Sequence, residues 1–175
     1  MGNLNLDGDG QGDRAGTAAS SAPCSSTSST PIAIGKASLA KATASTDSSA
    51  RTSPVEGLGD DEVCIGDGHQ VGTAAFEVTQ PRVTCHRVGI RVNDPRAPAL
   101  LVSHHRPGFY FRVLEKGDVQ AGDEIIKLAS RPEQMPVAEA DALLYLPGHP
   151  RQQLLRGLRI PALSPGWQAS LPSFA

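Results

Sequence analysis

Cys85 stands three residues after Arg82 and directly before His86 and Arg87. A thiol among potential cations is the setting that favours thiolate, the form that attacks electrophiles and binds soft metals. The competing reading is a small buried hydrophobe, which a lone cysteine near a strand end commonly is. The charged neighbours weigh towards a reactive sulfur. Upstream, Phe76 and Val78 alternate with Glu77 and Thr79, the period-two pattern of a half-buried strand. Pro81 then removes a backbone donor and fixes φ, so this strand must end there or run along a sheet edge. The sequence thus places Gln80, Arg82, Cys85, His86 and Arg87 at the exit of one strand.

The elements that must hold this exit lie between Val55 and Gln168. Val63–Ile65 reads as a short strand, Asp67-Gly68 as a turn and Thr73–Thr79 as the next strand, which predicts a hairpin. After Pro81, the alternation of His86, Val88, Ile90 and Val92 with Arg87, Gly89 and Arg91 predicts another strand. Asn93-Asp94-Pro95 stops it. Ala97–His105 is a helix candidate with Pro98 in its first turn. Gly108–Leu114 and Glu124–Leu128 are further strands. Short strands punctuated by Gly and Pro predict a small, mostly antiparallel β-barrel. Val137–Leu146 then has Val137, Ala140 and Leu143 or Leu144 at helical spacing, ended by Pro147-Gly148. In Pro150–Ile160, Leu154, Leu155 and Leu158 are expected on one core-facing stripe. Trp167 caps this cluster or begins a third helix.

The 175 residues suit one domain by length. The net charge of −2 asks for neither nucleic acid nor an anionic membrane. Cys24, Cys64 and Cys85 form no disulfide framework and favour a reducing compartment. No apolar run approaches the ~20 residues of a membrane span, and no signal peptide opens the chain. Met1-Gly2 invites myristoylation, but Leu6 stands where Ser or Thr is needed. A cytoplasmic protein is expected. The run Asp7-Gly8-Asp9-Gly10-Gln11-Gly12-Asp13 begins like a calcium loop, but Ala18 occupies the position of the bidentate Glu, so a turn-rich loop is the better reading. From Thr17 to Ser53, 26 of 37 residues are Ser, Thr or Ala. Such a segment buries too little apolar surface to offset ordering entropy of ~1–2 kcal/mol per residue. Residues 1–54 are therefore expected to be low-complexity and disordered.

Phe76-Glu-Val-Thr-Gln-Pro-Arg82 followed by Cys85 resembles the signature of MOSC domains, named after the C-terminal domain of molybdenum cofactor sulfurase. Asp61–Asp67, Gly108–Leu114 and Gly122–Ile125 resemble other strands of that family. Val137 to Trp167 resembles the three-helix extension of a bacterial subgroup. The resemblance implies an antiparallel barrel over residues 55–130 and a helical extension over 131–175. It makes Cys85 the molybdenum ligand and catalytic group, with Arg82, Gln80, Arg87 and His86 around a molybdopterin cofactor. In the family, a His-Gly-Gly turn, an aromatic-rich helix and a Gly-Glu-Asn segment precede the match to Val55-Glu-Gly-Leu58. None is present here. Thr17–Pro54 is either a genuine linker or an out-of-frame translation bounded by two compensating shifts.

The activity implied by the resemblance is reduction of N-hydroxylated compounds. The chain carries no strand-linked Gly-x-Gly-x-x-Gly and no four-cysteine iron–sulfur spacing, so the electrons are expected from a flavin or iron–sulfur reductase partner. The alternatives are a cofactor-binding or sulfur-carrying module without turnover, and an incomplete, inactive relative. Lys116 and Lys127 have no Schiff-base context, so pyridoxal phosphate lacks local support. A zinc site from His104, His105, His86 and Cys85 is disfavoured, because adjacent helical histidines point to different faces. Cys64 is expected to be packed.

Overall fold

A computed structural model describes residues 52–145, 148 and 150–171, together with the backbone of 24–28 and 37–39; for 52–56, 91 and 92 it is likewise the backbone that is described. Its centre is a four-stranded antiparallel sheet in the order β7-β4-β5-β6. These strands are β4 (Gly68–Val71), β5 (Ala74–Pro81), β6 (Phe109–Glu115) and β7 (Glu124–Ala129). By itself this sheet is open. The backbones of β1 (Cys24–Ser28), β2 (Ala37–Leu39) and β3 (Thr52–Glu56) pair between its edges, in the ring order β1-β3-β2-β7-β4-β5-β6. The β1–β3 pair is parallel and the other pairs are antiparallel. The mostly antiparallel β architecture expected from the sequence is therefore present. The calcium-like run lies outside the described residues, as does most of the Ser/Thr/Ala-rich segment.

The β4–β5 hairpin turns at Gly72, whose φ of 57° and proximity to the Asp118 carbonyl leave no room for a Cβ. The expected pairing of Val63–Ile65 with β5 is corrected. Residues 63–65 lie in a turn, with a single bridge from Cys64 to Pro136, and β4 takes the place of that strand. Pro81 is the last residue of β5, opposite Phe109. It can sit there because its own missing N–H falls at the strand's end, where the ladder loses least.

A second correction concerns residues 86–92, which form helix α1 (His86–Val92) and not a strand. Val88 and Val92 are two apart from Ile90 but also i, i+4 from each other, so the seven-residue pattern fits both periods. Ile90 is 74% exposed, which no core-facing strand position would be. Asn93 ends the helix in the left-handed region at φ 54°, a conformation asparagine tolerates. Helix α2 (Ala97–Ser103) follows.

The sheet's core is aromatic and branched. Phe76, Val78, Phe109 and Phe111 are buried, with Phe109 and Phe111 edge-to-face at 5.3 Å. Both faces of β5 are covered, since Glu77 and Thr79 are buried too and α3 packs against this strand. The helices are α3 (Val137–Tyr145), α4 (Arg151–Leu158) and α5 (Pro165–Ser170), the last capped by the Ser164 side chain. Val137, Ala140 and Leu143 are buried as expected. The leucine stripe of α4 is corrected: Leu154 is buried, while Leu155 and Leu158 are 46% and 38% exposed. Successive residues on a helix diverge by about 100°, so Leu154 and Leu155 cannot both face one narrow core contact.

Candidate functional site

The strand exit is held from below. The Arg82 N–H donates to the Gly108 carbonyl at 2.9 Å, tying the loop after β5 to the start of β6. Cys85 then takes extended backbone angles (φ −134°, ψ 168°) as the residue that caps α1. Its carbonyl accepts from the Val88 N–H at 3.2 Å, while its side chain makes no cap hydrogen bond. The thiol is exposed. A residue that caps through its backbone alone leaves its side chain for other chemistry.

Both tyrosines of the chain, Tyr110 and Tyr145, lie in the region of this thiol. Burial pushes the Tyr110 phenol up; the Arg82 guanidinium beside it pulls it back, and the nearby Cys85 sulfur pushes it up further. Burial also raises the Tyr145 phenol, against the nearby Thr84 backbone, with Asp141 and Cys85 both close enough to push upwards. Arg82, Cys85, Tyr110 and Tyr145 therefore share one region. Gln80, half-buried, stands opposite Tyr110 in the β5–β6 ladder. His86 and Arg87 follow in the first turn of α1, both exposed.

Sequence reasoning missed both tyrosines. The available signal was that a buried phenol needs a partner for its hydroxyl; what it could not supply was that α3 passes beside Thr84.

A second polar group lies behind the first. Asp60 and Asp141 are buried, at 3% and 0% exposure. Burial pushes the Asp141 carboxyl up to about 6, with His105 pulling downwards. Burial does the same to Asp60, also to about 6, against the Gly108 backbone and the Arg106 charge; Asp141 and Asp61 add to the rise. The Gly108 backbone lies close to Asp60, yet neither carboxyl oxygen makes a full hydrogen bond among the described residues. His104 closes α2, and His105 turns its Nδ1 to Asp141 at 3.4 Å. His104 is exposed while His105 is half-buried, and among the described residues no three His, Cys, Asp or Glu side chains converge as metal ligands.

Two further residues read from the sequence, Cys64 and Lys127, meet at Asp67. Cys64 is half-buried, and burial followed by the Asp67 charge raises its thiol pKa. Lys127 is engaged with the buried Asp67 carboxylate at 2.8 Å. Asp67 also accepts from the Cys64 N–H at 2.9 Å. Among the described residues no helix is long and apolar enough to cross a membrane.

Comparison with known proteins agrees with this fold. The MOSC domain profile matches residues 54–126, and the profile of the YiiM-like, 3-alpha helix domain matches residues 135–172. The uncharacterized protein YflK of Bacillus subtilis is 32% identical over 116 residues, which are 66% of this chain and 52% of that protein. Protein YiiM of Escherichia coli is 28% identical over 116 residues, 66% of this chain and 51% of that protein. A protein named reductase from Gibberella moniliformis is 37% identical over 76 residues, 43% of this chain but 13% of its own length. The chain spans about half the length of YflK and YiiM. The crystal structure of YiiM from Geobacillus stearothermophilus superposes with a TM-score of 0.66 at 27% identity, covering 70% of this chain and 63% of that one. YiiM from Escherichia coli gives 0.62 at 25% identity, covering 69% and 59%. With an antiparallel sheet ending at a proline, an exposed thiol beyond it and three short helices packed behind, this chain belongs to the MOSC domain family, in the group that carries a YiiM-like 3-alpha helix domain.

Proposed function

We propose that the chain binds a molybdenum cofactor at Cys85 and reduces N-hydroxylated compounds, with electrons from a flavin or iron–sulfur partner protein. The observation that carries this reading is the exposed Cys85 thiol, free of capping duty, with the Arg82 guanidinium and the Tyr110 phenol in the same region. The donor set fits such a group. A pterin-borne metal brings sulfur donors of its own, so one soft protein thiolate is the ligand it requires. A phosphate on that pterin suits the fork of Arg82, with Arg87, His86 and Gln80 around it. Bound there, the cofactor would supply two-electron oxygen-atom chemistry. The overall change consumes two electrons and two protons, breaks the N–O bond and releases water from the hydroxyl. The residues of this chain hold the cofactor, orient the substrate and offer phenolic hydroxyls to the departing oxygen. The name reductase, borne by the protein from Gibberella moniliformis, supports a reduction in general.

The test is metal analysis of protein purified from a molybdopterin-competent host, followed by amidoxime reduction with an added reductase. The wild-type chain is expected to carry molybdenum and to turn over. Cys85→Ser is expected to lose more than ~10-fold in bound metal, as first-coordination changes do at least as severely as outer-shell ones. Undiminished molybdenum in Cys85→Ser overturns the assignment of the ligand. Metal without turnover replaces the reductase by a cofactor-binding or sulfur-carrying module.

A further inference from the structure

We infer that helix α3 is the positioning element of the Cys85 site, with Tyr145 holding the Arg82–Cys85 loop through Thr84 and Asp141 holding the His104–Gly108 loop through His105. This rests on the site being at Cys85 and not on the reductase reading.

The helix is fixed first at its start. The opening N–H groups of a helix have no partners within it. Here the Val137 N–H donates to the Val63 carbonyl and the Ala138 N–H to the Asp60 carbonyl, both at 2.8 Å. The loop before β4 therefore sets where α3 begins. Val137, Asp141 and Tyr145 are then spaced i, i+4 and i+8, one stripe along the helix. Val137 enters the core, with no exposed surface. One turn on, the fully buried Asp141 receives His105 Nδ1 at 3.4 Å. One turn further, the Tyr145 phenol lies near the Thr84 backbone, next to Cys85.

The two loops gripped in this way are also joined to each other, by the Arg82 N–H to Gly108 carbonyl bond at 2.9 Å. The result is a closed circuit from α3 through His105 to Gly108, across to Arg82 and Thr84, and back through Tyr145. His105 supports this reading independently. It is a non-glycine residue at φ 50°. Such backbone persists where its surroundings over-determine it, and it gathers at functional sites. The bond to Asp141 is the side-chain contact that holds it there.

The charged and titratable groups around Asp141 are His105, Asp60 and Tyr145, with Arg106 acting on Asp60. None of them is needed to titrate for the circuit to hold. A carboxylate or an amide oxygen at position 141 accepts equally well from the His105 N–H.

The experiment uses the full chain without cofactor. Hydrogen–deuterium exchange is followed for the peptides spanning 82–88 and 104–108, together with iodoacetamide labelling of Cys85 resolved by mass spectrometry. Tyr145→Phe removes the phenol oxygen that lies near the Thr84 backbone. Asp141→Ala removes the acceptor for His105. Each is expected to speed exchange at 82–88 by about fivefold, the effect of one ordinary hydrogen bond lost to local opening, and to speed Cys85 labelling with it. Asp141→Asn keeps an oxygen acceptor and is expected to restore the wild-type rates. Leu154→Ala loosens the helical core away from these bonds and is expected to leave the 82–88 peptide unchanged in native conditions. If Asp141→Asn behaves like Asp141→Ala, or Leu154→Ala speeds the same peptide equally, the pattern is general loosening and the inference falls. It falls equally if neither Tyr145→Phe nor Asp141→Ala alters exchange. Failure of amidoxime turnover in the loaded protein touches none of these readouts.

Discussion

His105 and Asp141 face each other across the join between the β-sheet and the helices, with Nδ1 and Oδ2 3.4 Å apart, the carboxylate wholly buried and the imidazole 29% exposed. The pair has a cost as well as a use. A carboxyl buried to this degree resists ionisation, which is why Asp141 is held near 6 and Asp60 with it.

The sign of the resulting pH dependence follows from linkage. In the unfolded chain both groups ionise near 3.8, and in the folded protein near 6. Between those values the folded state binds more protons, so stability falls as pH rises through that window and then levels off. Moving a carboxyl from 3.8 to about 6 corresponds to roughly 3 kcal/mol per group as an upper bound. Asp141→Asn removes that group's share. Its urea midpoint is expected to change less between pH 4.5 and pH 7 than the wild-type midpoint does. An identical change in both proteins counts against the buried carboxylate.

Glu77 acts in the opposite direction. It is 4% exposed and accepts from Arg131 at 2.8 Å and from Arg112. Burial raises its pKa, but the two guanidinium groups outweigh burial and hold the carboxyl below its usual 4.5. Its stabilising contribution is therefore present above that value and is lost as pH falls through the folded-state value. Both arginines are partly solvated, which reduces what the pairing is worth. Glu77→Gln is expected to cost about 1–3 kcal/mol at pH 7 and to cost less near pH 3. Chemical denaturation at the two pH values checks this; an equal cost at both would show that packing, not charge, is what matters at Glu77.

The three leucines of α4 separate by burial. Leu154 is 2% exposed, against 46% for Leu155 and 38% for Leu158. Leu154→Ala leaves a cavity and is expected to cost about 2–4 kcal/mol. Leu155→Ala and Leu158→Ala are expected to stay within about 1 kcal/mol. Equal losses at all three sites would mean that the exposed pair is covered in solution.

Much of the path from residues to site was legible beforehand. The strand before Pro81 alternates, the proline does end it, and the aromatic run Phe109-Tyr110-Phe111 pairs beside it. The helices at 137 and 151 start where proline and apolar spacing place them, and Trp167, left open between a cap and a helix, lies in the helix that starts at 165. Residues 86–92 were misread because seven residues hold too few turns to separate a period of two from one of 3.6. The hairpin partner was misassigned because Gly68–Val71 carries His69 and Gln70, which look like a polar turn. His69 is in fact buried, in edge contact with Phe111 at 6.0 Å.

Local pattern, then, determined the strand that delivers Cys85, the proline that releases it and the family to which the chain belongs. These are properties of neighbouring residues, written in spacing and backbone chemistry. Only the tertiary structure decided that Tyr145 and Asp141, dozens of residues further along, come to lie beside Thr84 and His105. Contacts of that kind depend on where a helix lands after the sheet has formed. That landing is set by the summed packing of Val137, Leu143, Leu154 and Trp167, which no short stretch of sequence contains.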